Sequence, residues 1–99
     1  MASREVSLSV NGEPVPIRGF VQEFVERIII GMLDVLKGIG EIKTAVISIR
    51  GDDVGINVNN ALITINPVVK KFVKNTIIGM VSSLKGISRI DSLDISITE

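Results

Sequence analysis

The sequence predicts an α+β domain: one mainly antiparallel sheet of up to six strands, with two helices packed on its apolar face. Three observations carry this. The chain repeats itself at a shift of about 48 residues. Each repeat holds three short runs of apolar/polar alternation, the period of a half-buried strand. Each also holds one longer segment with apolar residues at i, i+3/i+4 spacing, the period of a surface helix. Laying Val6–Ile49 over Val54–Ile97 needs no gap and matches about 19 of 44 positions, which reads as a tandem duplication of a β-β-α-β unit. The repeats span 4–50 and 52–98, and the 99 residues form one domain. Separate halves of about 45 residues would each be marginal.

In the first repeat Val6/Leu8/Val10 alternate, Asn11-Gly12 is a two-residue hairpin signal, and Val15/Ile17 form the returning strand. Pro14 and Pro16 cannot donate to a ladder, which places that strand at an edge. In the second repeat Val54/Ile56/Val58 alternate, Asn59-Asn60 supply the turn, and Ile63/Ile65 return. The first helix carries Val21, Phe24, Val25, Ile28, Ile29, Met32, Leu33 and Leu36 as its buried stripe. The second opens with Asn66 as N-cap and Pro67 at its first position, and buries Val69, Phe72, Val73, Ile77, Met80, Val81 and Leu84. Both helices are expected to stop at Lys-Gly-Ile, Lys37–Ile39 and Lys85–Ile87, where Gly suits the left-handed C′ position. A last strand follows in each repeat, Ala45/Ile47/Ile49 and Leu93/Ile95/Ile97, and Arg50-Gly51-Asp52-Asp53 is a tight turn between repeats. Strand order stays open, including exchange of strands between the repeats.

Composition narrows function by subtraction. Lys plus Arg number 11, as do Asp plus Glu, so no net field gathers nucleic acid or an anionic membrane. His, Cys, Trp and Tyr are absent, which removes imidazole and thiol catalysis, Cys/His metal sites and disulfides. There is no phosphate-binding or nucleophile-elbow motif. No catalytic, cofactor-binding or metal-binding residue is assigned, and no cofactor is expected. Lys70, Lys71 and Lys74 read as a solvated face, and Arg50-Gly51-Asp52 as an ordinary turn rather than an adhesion tripeptide. The N-terminus lacks the apolar core of a signal peptide, and no apolar run approaches the roughly 20 residues of a membrane span. A cytoplasmic location follows as the expectation.

Two surfaces remain as candidates. Ile30, Gly31, Ile78 and Gly79 form a second stripe beside Ile29 and Ile77. A mid-helix Gly costs about 1 kcal/mol against Ala. Either the helices cross each other or the sheet at these glycines, or the stripe is an intermolecular interface. The other candidate is a small, polar sheet face bearing Ser7, Ser9, Ser48, Asn57, Thr64 and Ser96, with Gly55 and Thr98. With Phe24 and Phe72 on the buried helical stripe, this face lacks the aromatics of a nucleic-acid platform. The expected function is a non-enzymatic protein-interaction or self-association module. The alternative is a small-ligand-binding protein, or an enzyme subunit, with a cleft between the two repeats.

The pattern Val10-Asn11-Gly12, Val15-Pro16-Ile17, Phe24-Val25 and Gly31 to Ile39, repeated more loosely from Val58 to Ile87, resembles small uncharacterised archaeal proteins. These are found largely in methanogens and carry one copy of the unit. The second repeat departs from the pattern with Asn60 for Gly and Thr64 for Pro. The resemblance covers nearly the whole chain and implies a cytoplasmic archaeal origin; it assigns no activity.

Overall fold

The computed structural model describes residues 4–36, 40–84 and 86–99. The first half gives β1 (Glu5–Val10), β2 (Glu13–Val15), α1 (Gly19–Asp34) and β3 (Thr44–Arg50). The second gives β4 (Asp53–Val58), β5 (Ala61–Ile63), α2 (Pro67–Ser82) and β6 (Ser92–Thr98). All six strands join one antiparallel sheet in the order β2-β1-β6-β3-β4-β5. The architecture is therefore the α+β one the periodicities predict.

The strand order interleaves the halves. Within a half, the hairpin and the last strand never touch: β6 separates β1 from β3, and β3 separates β6 from β4. The central pair β3–β6 sets Ile47 opposite Ile95, with Ala45 opposite Ile97 and Ile49 opposite Leu93. Positions 48 apart thus meet at the centre, and the pairing on either side is symmetric about them. Val6 faces Ile97 in β1–β6 as Val54 faces Ile49 in β3–β4.

Local chemistry explains the turns. Asn11 and Gly12 have φ of 53° and 82°, and Asn59 and Asn60 have 52° and 66°. These are the paired left-handed positions of a two-residue hairpin, which Asn and Gly tolerate best. Gly51 takes φ 60° in the turn from β3 to β4. Pro14 lies in edge strand β2, as its missing N–H requires.

Four boundaries differ from the sequence reading. The returning strands stop at Val15 and Ile63, before Ile17 and Ile65, because the chain there turns from the sheet edge toward the helix layer. Ile17 and Ile65 still pack against the core. The helices end at Asp34 and Ser82, ahead of Lys-Gly-Ile, with Val35 and Ser83 as C-caps. Gly86 does adopt the left-handed conformation, at φ 87°; Lys37–Ile39 and Lys85 lie outside the described residues. At the start of α2, the Asn66 carboxamide oxygen accepts from the Val69 N–H at 2.8 Å and Pro67 occupies the first turn. Arg18, at the same place on α1, makes no side-chain cap.

The core lies between the sheet and the helices. Val25, Ile29 and Leu33 of α1, and Val73, Ile77 and Val81 of α2, cover the inward residues of the strands. Every buried side chain among the described residues is aliphatic. Each helix seals its core along i, i+4 steps, the narrow seam that lies flat on a sheet. At about 100° a residue, Phe24 and Phe72 stand one step off that seam. They are 47% and 69% exposed, which corrects their expected place on the buried stripe.

Candidate functional site

The outer surface of the helix layer is the most apolar exposed region. Phe20, Phe24 and Val35 on the α1 side are exposed, as are Val68 and Phe72 of α2. The Phe20 and Phe24 rings contact each other at a centroid distance of 5.8 Å. All three phenylalanines of the chain therefore face outward, while Ile, Val and Leu fill the core. Aromatics are among the largest apolar groups available, so leaving all three in water forgoes burial that a core would have used.

Gly31 and Gly79 lie on the same outer stripe. Phe20, Phe24, Gly31 and Val35 fall within about 60° of one another around α1. Val68, Phe72 and Gly79 repeat the arrangement on α2. A Cβ added at Gly31 or Gly79 would meet nothing within 4 Å. Neither helix nor sheet approaches them, so packing within the chain does not require these glycines. Ile30 and Ile78 sit on the other flank, half-buried and packed against the core. The exposed stripe thus includes the two glycines and leaves out the two isoleucines beside them. The flanking phenylalanines escape a sequence reading that assigns every apolar residue at i+3/i+4 spacing to one buried face. Their i, i+4, i+11 spacing with the glycines is the signal that separates them.

The open sheet face carries Ser7, Ser9, Ser48, Asn57 and Ser96, interleaved with Gly55 and Thr98. Thr64 does not belong to it: β5 ends at Ile63, and Thr64 is in the link to α2. Ser48, Arg50 and Asp94 form an organised polar group on this face. The Ser48 hydroxyl donates to Asp94 Oδ1 at 2.7 Å, and the Arg50 guanidinium donates to both Asp94 oxygens at 3.1 and 3.0 Å. Partial burial pushes the Asp94 carboxyl up, but Ser48 and Arg50 outweigh it and hold it below the ordinary range. A carboxylate held ionised in this way is a weak base, which suits a structural clamp better than a proton acceptor. Across the sheet's symmetry the place of Asp94 is taken by Val46, opposite Ser96, so the clamp occurs once.

Charged pairs tie the residues at the entry to β1 and β4 to the helices. Arg4 meets Glu26 at 3.5 Å, and Lys74 meets Asp52 at 2.6 Å. The two pairs stand at matching positions with reversed sign. Lys70 also reaches Asp53 at 3.7 Å. The lysine hydrogen bond and charge hold the exposed Asp52 carboxyl below its usual range. A shallow groove of about 280 Å³ runs along Asp52, Pro67, Lys70, Lys71, Lys74 and Asn75. Two of its three lysines are already matched by aspartates, which leaves little attraction for an anion. In the turn, Arg50 is engaged by Asp94 and Asp52 by Lys74. The tripeptide's charged side chains serve the fold.

At the junction between the halves, Ile47 and Ile95 are only 0% and 1% exposed, so the centre of the sheet is sealed at these two residues. Among the described residues there is no cluster of three Asp or Glu able to hold a metal ion, and no helix long and apolar enough to cross a membrane. Comparison with models of known families, with curated proteins and with solved structures finds no match to this chain.

Proposed function

We propose that the chain is a non-enzymatic protein-interaction module of the cytoplasm whose helix layer is the docking face. The observation that carries this reading is the outward placement of all three phenylalanines on that layer. Aromatic residues are enriched in contacts between proteins, and here they stand exposed on one layer of the fold. The open space at Gly31 and Gly79 supports it, since a backbone without Cβ lets a partner approach closely. The sealed centre at Ile47 and Ile95 gives less support to a ligand cleft between the halves. The sequence repeat and the interleaved sheet fit a history in which two copies of a one-unit ancestor, once paired as a homodimer, were fused.

The test is native mass spectrometry of the protein isolated from the cells that make it, beside a Phe20→Ser/Phe24→Ser/Phe72→Ser variant. The wild type is expected to carry additional protein mass that the variant loses while keeping its far-UV circular dichroism. A variant with the same mass distribution as the wild type would sink the proposal.

A further inference from the structure

The two edges of the sheet are built differently. In each two-residue hairpin the residues flanking the turn exchange both backbone hydrogen bonds, so pairing then alternates outward from them. Val10 with Glu13, and Val58 with Ala61, are those flanking pairs. The next pairs, Ser9 with Pro14 and Asn57 with Leu62, exchange none. The backbone groups of Pro14 and Leu62 therefore point away from the sheet, along its two outer edges. On β2 the outward nitrogen belongs to proline and cannot donate. On β5 it is the N–H of Leu62, whose side chain is 71% exposed.

Charge separates the edges in the same direction. Natural edge strands are protected by proline and by charged residues. Around β2 stand Glu13, Pro14, Pro16 and Arg18. Around β5, the whole run from Val54 to Val69 has no charged residue, and its first proline is Pro67, in the helix. One edge is closed, and the matching edge is open.

We infer that β5 pairs edge-to-edge with β5 of a second copy, antiparallel and centred on Leu62. A two-fold axis there lets each Leu62 N–H donate to the other copy's Leu62 carbonyl, with Asn60 and Thr64 flanking on either side. Symmetric pairing brings like residues close together, so a charged edge would repel itself; this one has no charge to repel. The two six-stranded sheets become one continuous sheet, and the proline-bearing β2 edges at its ends stop further growth. The contact is separate from the helix face and does not depend on it.

Sedimentation equilibrium over a wide concentration series tests this on wild type, Leu62→Pro and Leu62→Lys. Proline is the residue β2 carries at the matching position, so Leu62→Pro preserves the fold, and Leu62→Lys serves should it not. The wild type should approach twice its 10.7 kDa mass as concentration rises. The Leu62 amide should become protected from hydrogen exchange in parallel. Both variants should remain at the single-chain mass. A wild type that stays monomeric with a freely exchanging Leu62 amide overturns the pairing. So do variants that associate as well as the wild type. The Phe20→Ser/Phe24→Ser/Phe72→Ser variant separates the two surfaces: it keeps the β5 dimer if the edge is the contact. If it alone abolishes association, the helix face stands and the edge falls.

Discussion

Asn11 and Asn59 make the same three side-chain hydrogen bonds, each to the opposite half of the chain. Asn11 accepts from the Asp91 and Ser92 N–H groups at 2.7 and 3.0 Å and donates to the Arg89 carbonyl at 2.9 Å. Asn59 accepts from Lys43 and Thr44 at 2.8 and 3.1 Å and donates to the Glu41 carbonyl at 2.8 Å. Each hairpin tip thereby fixes the entry of the other half's last strand into the sheet.

Replacing either asparagine by Gly keeps the left-handed backbone, removes these bonds and adds backbone freedom to the unfolded chain. Asn11→Gly and Asn59→Gly should each cost about 1–2 kcal/mol in urea unfolding. The corresponding Ala variants should cost about 1 kcal/mol more, from the strained φ. Equal losses for Gly and Ala would show that backbone strain is not a factor there.

The reversed ion pairs predict a compensated exchange. Glu26→Lys alone sets a second cation beside Arg4 and should lower stability by about 1 kcal/mol. Adding Arg4→Asp recreates the polarity of Asp52 and Lys74 and should restore most of the loss. Thermal unfolding of the single and double variants decides it; a double variant weaker than Glu26→Lys contradicts the equivalence.

Asp94 gives a pH dependence. Its folded pKa is depressed below the unfolded value of about 3.9. Ionised Asp94 therefore stabilises the fold above that value, and the contribution fades as pH falls through the folded pKa. Both partners are substantially exposed, so the effect should stay under about 1 kcal/mol. In Arg50→Met, an NMR titration should show the Asp94 carboxyl titrating at higher pH than in the wild type. An unchanged or lower value would show that Arg50 does not hold it down.

Gly31→Ala and Gly79→Ala should each raise stability by about 1 kcal/mol, because the added methyl meets nothing and helix propensity improves. If the helix face is a contact surface, the same changes should weaken association. Unfolding and mass measurements on the same samples show whether the two effects part company.

Much of the fold is legible because local chemistry dictates it. Asn11-Gly12 and Asn59-Asn60 announce hairpins, Asn66-Pro67 announces a helix, and alternation marks the inward residues of β3 and β6. The interleaving is not legible, because Ile47 would pair as well with its own half as with Ile95 on any local criterion. Only the whole sheet's burial chooses. The outward phenylalanines were hidden by the breadth of apolar sequence on both helices. Helical spacing alone admits Phe24 to the same face as Val25, and only contact with a flat sheet shows how narrow the seam is. The edge asymmetry lies in plain view as Pro14 against Leu62, but it acquires meaning once both are known to be outermost.

The pairing of Glu5 with Thr98 matches that of Asp53 with Arg50, where the chain crosses by a two-residue turn. A Gly-Asp link between the ends of β6 and β1 would therefore close the backbone into a ring, with the same turn at two opposite points. On that circle no strand is first. Opening it at Gly51 instead would give a circular permutant with the same sheet and the same loop lengths, and hence almost the same average contact separation.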